Sequence, residues 1–412
     1  MSDVAARVLR PEIAMTYVDL AIVGAGPCGL AAAIAAGRAG LRAVVLERGC
    51  LVSGIASYPT YMTFFSTAER LSIGGVPFVV ATEKPTRRDA LAYYRTVTQH
   101  FGLDVRQYET VEDVVALAEV GGAAGSRARG ASGGAGAEAA RAVAPMGGAR
   151  GAPPPTSTLP PDATVVTTVS PHDGPDLRAA AVADRPRAAG ARPVRFLVRS
   201  RTRDGRLHET AAHAVVVATG YFGHPNRLGV PGEHLSHVTH LFREGHEAFE
   251  QPVVVVGGGN SAVDAALDLY RSGARVTLVH FLPTLDRNIK PWVLPDIANR
   301  IAEGSIAARF DSRVEAIEPR AVVLTTPRGE ERVPAEHVYL MLGYQPNADL
   351  LHGLGVEIDP VTGIPAHDPA TMETSLPGVF IAGVLASGYD ANKTFIENGR
   401  HHGELIAAKL AG

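Results

Sequence analysis

Apolar and polar positions along the chain fall into two similar blocks. Each opens on a short unbroken apolar run, passes through a knot of glycines and continues as a helical segment. In the first block the pattern predicts a strand over Val18 to Val23, an alanine-rich helix over Leu30 to Ala39 and a second strand over Leu41 to Leu46 that ends in Glu47. In the second block it predicts a strand over Pro252 to Val256, a helix over Ser261 to Ser272 and a strand over Ala274 to Val279. Continuous apolar runs suit parallel strands covered on both faces, so each block reads as a βαβ unit.

Further strands are predicted over Asp104 to Leu117, Val194 to Val198 and Leu207 to Ala211, with a turn at Asp204-Gly205, before a buried strand from Ala214 that ends in Thr219-Gly220. The second block repeats the arrangement with a meander over Arg313 to Ile317, Ala321 to Thr325 and Glu331 to Val333, and a closing strand over Val338 to Gly343. A final helix is predicted over Asn392 to Leu410, with Asp390 or Asn392 able to cap it. Between Gly121 and Pro193 the pattern fails. That stretch is rich in Ala, Gly, Pro and Arg and cannot bury a core, so it reads as a low-complexity disordered insertion with one short strand at Ala163 to Val169.

The fold class expected is α/β, with two Rossmann-like dinucleotide-binding domains that each carry a small β-meander. The domain boundaries follow the pattern: residues 1–16 an N-terminal extension, 17–120, 194–247 and 346–412 the first domain, 121–193 the insertion, and 248–345 the second domain. Hinges are expected near Glu244 to Glu250 and Gly343 to Asp349.

The glycine knots carry the chemistry. They read Gly24-Ala25-Gly26-Pro27-Cys28-Gly29 and Gly257-Gly258-Gly259-Asn260-Ser261-Ala262. Glycines in a strand-to-helix turn let the backbone approach a pyrophosphate, and the helix N-terminus offers free N–H groups and a partial positive charge. Glu47 stands where an acidic side chain takes the hydroxyls of a ribose, so Gly24, Gly26, Pro27, Gly29 and Glu47, with Thr219 and Gly220 at a neighbouring strand end, suit FAD. The matching position of the second unit is His280, followed by Arg287 and Lys290. Gly257, Gly259, Asn260, Ser261, Ala262 and these three basic residues are therefore expected to hold NADPH rather than NADH. Two nucleotide sites in one chain imply an electron relay.

Composition narrows the partners. In 412 residues the formal net charge is only −3, which gives no electrostatic footprint for nucleic acid. The two cysteines, Cys28 and Cys50, match neither a disulfide framework nor a metal site, and a reducing cytoplasm fits them. Neither a secretory signal nor an apolar run of transmembrane length is read, so no membrane partner is expected.

The paired fingerprints, the Ala-Thr-Gly strand end, Leu342-Gly-Tyr-Gln-Pro346 and Gly378-Val-Phe-Ile-Ala-Gly383 resemble the two-domain flavoprotein reductases of the thioredoxin reductase class. More narrowly, Gly-Pro-Cys28-Gly, Tyr58 to Thr67, Ile289 to Asp296 and Asp390 to Arg400 resemble the bacillithiol disulfide reductase family. The resemblance implies an NADPH-dependent FAD enzyme, a homo-oligomer, that reduces a small-molecule disulfide or a redox-protein acceptor. It implies that Cys28 is the nucleophile toward a bacillithiol mixed disulfide, and that the C-terminal helix, with Asn392, Lys393 and Thr394, points at the flavin. The chain departs from the wider class in having Gly383-Val384 where Gly-Asp is common, leaving the backbone to make that contact, and in lacking Cys-x-x-Cys. Any thiol acts singly.

Other readings stay open. Cys28 also fits as a small packing residue, Lys393 as an exposed lysine, and Tyr61, Phe64 and Phe65 as either a cover for the flavin face or plain core. His401 and His402 read as surface residues or a proton-transferring group. A ferredoxin or flavodoxin reductase would need no cysteine. Gly220-Tyr-Phe-Gly-His-Pro225 suggests a flavin monooxygenase, and a redox sensor without turnover is the alternative outside catalysis.

Overall fold

A computed structural model describes residues 14–117, 192–390 and 393–412. Most of the 121–193 insertion, its expected strand, the first thirteen residues and Asn392 lie outside the described residues.

The first sheet is built on β1 (Ala14–Val23), flanked by β2 (Ala43–Glu47) and β3 (Val105–Gln107) on one side, all parallel. On the other side come β6 (Leu207–Val217), β5 (Phe196–Thr202) and β4 (Glu109–Ala116), in the order β3-β2-β1-β6-β5-β4. β1 begins earlier than the apolar run suggests, because Ala14 to Thr16 pair with His208 to Thr210. The two strands expected around residues 207–218 are one. Its first half pairs antiparallel with β5, and His213, which interrupts the apolar pattern, donates from Nδ1 to the Pro193 carbonyl at 2.8 Å. Packed around this sheet are α1 (Pro27–Arg38), the short turns α2 (Ser53–Ala56) and α3 (Ala68–Leu71), and α4 (Arg87–His100). Thr86 and Asp89 cap α4 reciprocally, each side chain accepting from the other residue's backbone N–H.

The second sheet has the order β10-β9-β8-β14-β7, with β7 at Val238–Thr239, β8 at Pro252–Val256, β9 at Arg275–Val279, β10 at Ala307–Arg309 and β14 at His337–Leu340. Every pairing in it is parallel. It carries α5 (Asn260–Arg271) and α6 (Leu294–Ala302). The antiparallel strands β11 (Arg313–Glu318), β12 (Ala321–Thr326) and β13 (Gly329–Pro334) form the meander.

The chain then passes α7 (Asp349–Gly353) and returns to the first sheet as β15 (Val379–Ile381), parallel to the second half of β6. It ends in a short turn, α8 (Ile396–Gly399), and α9 (His402–Ala411), which packs along α1. In-register pairing brings Val23, Leu46 and Val217 level, with Ile381 level with Val217. Four strands thus release their chains at one edge, where open α/β sheets bind ligands.

Candidate active site

Both glycine loops are built alike. Gly24 has φ +108° and a Cβ there would lie 2.4 Å from the Ala218 carbonyl oxygen. Gly257 has φ +140° and a Cβ there would lie 2.4 Å from the Met341 carbonyl oxygen. In each domain the first glycine lets the loop cross the end of a neighbouring strand, which no L side chain would permit. Around Gly26, no atom lies within 4 Å of where a Cβ would stand, so a ligand can approach the first turn of α1. Neither α1 nor α5 has a side-chain cap or an acidic residue in its first turn. These features fit a dinucleotide pyrophosphate at each loop.

Glu47 is buried and mostly committed to the protein. Its Oε2 accepts the Ala25 N–H at 2.9 Å, and its Oε1 accepts the Gly49 N–H at 2.7 Å and the Ser53 hydroxyl at 3.0 Å. One acceptor position on Oε2 remains for a ribose hydroxyl. Thr219 turns its hydroxyl to the Asn347 carbonyl at 3.0 Å, so the strand end contributes backbone rather than this side chain.

Cys28 is the second residue of α1. Its sulfur lies where three segments converge: a Cβ on Gly383 would be 3.2 Å from Sγ, and one on Gly399 would be 2.9 Å away. Burial pushes the thiol up to about 12, against the helix N-terminus, which favours thiolate. Behind it, Tyr94 is fully buried and donates to the Leu71 carbonyl at 2.9 Å.

The C-terminal segment departs from the expected single helix. Lys393 precedes any helical turn, is exposed and pairs with Asp390 at 3.6 Å. Thr394 is buried against Ser387 through their hydroxyls and approaches the Gly399 position. The turn is set by Asn398, whose Oδ1 accepts the Phe395 N–H at 2.7 Å while its Nδ2 donates to the Lys393 carbonyl at 2.8 Å. Arg400 then leaves the helix axis to donate to the carbonyls of Glu69 at 2.9 Å and Ser72 at 2.5 Å. His401 is exposed, and His402 is half-buried. Its Nδ1 accepts the Gly383 N–H at 3.2 Å, and burial, with His367 and His401 nearby, pushes its pKa down to about 4.

At the second loop the basic residues separate. Lys290 is buried, donates to Asp264 at 2.6 Å and to the Thr63 carbonyl at 3.3 Å, and so joins the two domains. His280 is buried beneath Gly258, and burial lowers its pKa. Arg287 is exposed and makes no ion pair among the described residues. Asp286, which the sequence reading did not single out, places a carboxylate at the loop.

Tyr61, Phe64 and Phe65 do not act together. Phe64 is buried, while Tyr61 is 73% and Phe65 55% exposed, with Phe65 5.6 Å from Trp292 and Lys84 over both rings. The aromatic cluster beside the site is instead Tyr58, Phe222, Tyr221 and Tyr344, with Tyr58 and Phe222 centroids 4.5 Å apart. Its members come from three segments distant in the chain, each inside a stretch the sequence singles out, but their convergence is not a local signal.

Residues 21–120 and 199–383 match the family of pyridine nucleotide-disulphide oxidoreductases. Over 393 residues, 95% of this chain and 96% of the relative, 36% are identical to bacilliredoxin reductase Bdr of Bacillus subtilis (strain 168). The chain belongs to this family, in its bacillithiol disulfide reductase branch. Two solved structures of that branch are similar throughout. Bacillithiol disulfide reductase Bdr from Bacillus cereus is 35% identical with a TM-score of 0.75, covering 96% of this chain and 99% of its own. Its counterpart from Staphylococcus aureus is 31% identical with a TM-score of 0.73, covering 96% and 98%. The resemblance carried by the four sequence stretches is thus confirmed, and as a pyridine nucleotide-disulphide oxidoreductase the protein is an enzyme that works with a flavin and a nicotinamide dinucleotide. Among the described residues no helix is long and apolar enough to cross a membrane.

Proposed function

We propose that this enzyme oxidises NADPH and reduces a low-molecular-weight disulfide, with FAD between them and Cys28 as the acting thiol. Bacillithiol disulfide, for which the similar reductases of Bacillus cereus and Staphylococcus aureus are named, is the substrate of choice. The observation that carries the reading is the convergence of the α1 N-terminus, Gly383 and Gly399 on the Cys28 sulfur.

When bound, FAD and NADPH would supply the redox chemistry, two electrons passing from the nicotinamide through the flavin to the disulfide. Gly24, Gly26, Pro27, Gly29, Glu47, Gly220, Gly383 and Thr394 would hold FAD. Gly257, Gly259, Asn260, Ser261, Ala262 and Arg287 would hold NADPH, with His280 supporting the loop from below. The Cys28 sulfur attacks one sulfur of the substrate, the S–S bond breaks and one thiolate leaves. The Cys28 proton passes to that leaving thiolate; two electrons and one proton from NADPH, with one further proton from solvent, then cleave the mixed disulfide, returning the Cys28 thiol and releasing the second product thiol. Cytoplasmic location and assembly as a homo-oligomer belong to the same reading.

A second reading, electron transfer to a redox protein without a thiol, is favoured by one observation. Cys28 is half-buried, and desolvation pushes its thiol up to about 12, which disfavours the attacking thiolate. The two separate when NADPH oxidation by FAD-loaded protein is followed with bacillithiol disulfide, a ferredoxin-type acceptor and oxygen in parallel. Disulfide-dependent oxidation that Cys28→Ser abolishes, with NADPH bleaching of the flavin retained, supports the first. Equal disulfide turnover by the variant overturns it.

A further inference from the structure

The second glycine loop is backed by two side chains that the first lacks. His280, one residue past the Val256–Val279 pair, matches Glu47, one residue past the Val23–Leu46 pair, and its Nε2 edge is turned to the loop: a Cβ on Gly258 would lie 2.4 Å from Nε2 and from Cε1. The residue is only 4% exposed, and neither ring nitrogen has a hydrogen-bond partner. The nearest polar group to this buried ring is the Asp286 carboxylate, so the imidazole under the first turn of the twelve-residue helix fixes where that carboxylate stands.

The chain after His280 folds back over the same loop. The Asp286 N–H donates to the Gly258 carbonyl at 3.0 Å. Its Oδ1 lies 3.5 Å from His280 Nε2, and its Oδ2 would be 3.1 Å from a Cβ on Gly259. Asn260 fastens the far end of this segment, donating from Nδ2 to the Asn288 carbonyl at 2.8 Å and accepting the Lys290 N–H at 2.8 Å. Asp286 is therefore held at the rim of the fingerprint, and its side chain stays 45% exposed.

We propose that Asp286 reads the adenosine ribose of the dinucleotide bound there and opposes a 2′-phosphate. The proposal rests on the reading that the second fingerprint holds NADPH. A carboxylate accepts hydrogen bonds from both ribose hydroxyls but repels a phosphate on one of them. Arg287, its exposed neighbour, attracts that phosphate. Two adjacent residues of opposite sign thus set a narrow preference for NADPH, and Asp286 is the one that admits NADH.

The test uses FAD-loaded protein and two ligands that cannot turn over, 2′,5′-ADP and 5′-AMP, titrated calorimetrically into wild type and Asp286→Asn. The variant is expected to bind 2′,5′-ADP about tenfold tighter and 5′-AMP several-fold weaker. The KM ratio of NADH to NADPH should rise in step, with kcat unchanged. Equal shifts for both ligands, or none for either, overturn the role of Asp286 while leaving the fingerprint a dinucleotide site. If wild type binds neither ligand and NADPH does not bleach the flavin, the NADPH reading falls, and the proposal with it.

Discussion

The sulfur of Cys28 occupies the space that a side chain at Gly399 would need, since a Cβ there would lie 2.9 Å from Sγ. Gly399→Ala therefore overpacks the point where α1 meets the C-terminal segment. We expect a loss of about 1–3 kcal/mol in urea unfolding, with reduced flavin content. Cys28→Ala in the same chain should restore most of it. A double-mutant cycle with no coupling between the two sites would show that the contact is not the cause.

Lys290 and Asp264 form a largely buried pair, their side chains 8% and 23% exposed. Asp264→Ala leaves the ammonium with the Thr63 carbonyl alone, and about 2–4 kcal/mol of stability should be lost. Lys290→Met, which removes the buried cation and keeps the stem packing, should cost less. Thermal unfolding of both variants checks the order, and the reverse order would mean that Lys290 acts chiefly through its charge.

His402 makes stability depend on pH. Its ordinary pKa of 6.5 falls to about 4 in the folded protein, so between those values the unfolded chain binds a proton that the folded chain refuses. The stabilisation is complete above pH 6.5 and declines toward pH 4, by up to roughly 3 kcal/mol before allowance for the partial exposure of the ring. His402→Asn should flatten this part of the urea-midpoint profile. An unchanged slope would assign the acid sensitivity to other groups.

His280→Glu, which a comparison with Glu47 invites, should not simply exchange cofactors. It would bury a carboxylate beneath Gly258 and beside Asp286, and loss of fold stability is expected before any gain for NADH. Arg287→Ala, at an exposed position, should raise the KM for NADPH about tenfold and leave that for NADH nearly unchanged. Steady-state kinetics with both cofactors decides, and an unchanged ratio removes Arg287 from the site.

The two βαβ units and the meander were legible because glycine knots and apolar runs are local signals, and the crossings of Gly24 over Ala218 and Gly257 over Met341 give those signals their cause. Residues whose roles depend on distant partners were not legible. Lys290 looks like a phosphate ligand until Asp264 and Thr63 appear beside it. His402 is half-buried, and its Nδ1 takes the Gly383 N–H from a segment nineteen residues earlier in the chain. The C-terminal helix looks continuous from Asn392 because nothing local announces that Arg400 will turn to Glu69 and Ser72, or that residue 399 must be glycine to clear Cys28. β6 looks like two strands because His213 interrupts its apolar run, and in the sheet that ring donates to the Pro193 carbonyl just past the last pair with β5.

On the proposed mechanism Cys28 carries the substrate during turnover. Intact-mass and peptide mass spectrometry, after acid quenching of FAD-loaded protein mixed with bacillithiol disulfide under limiting NADPH, tests it most directly. One bacillithiol moiety on the Cys28 peptide, absent from Cys50 and discharged by further NADPH, is the expected result. Full disulfide turnover with Cys28 never modified would contradict the account.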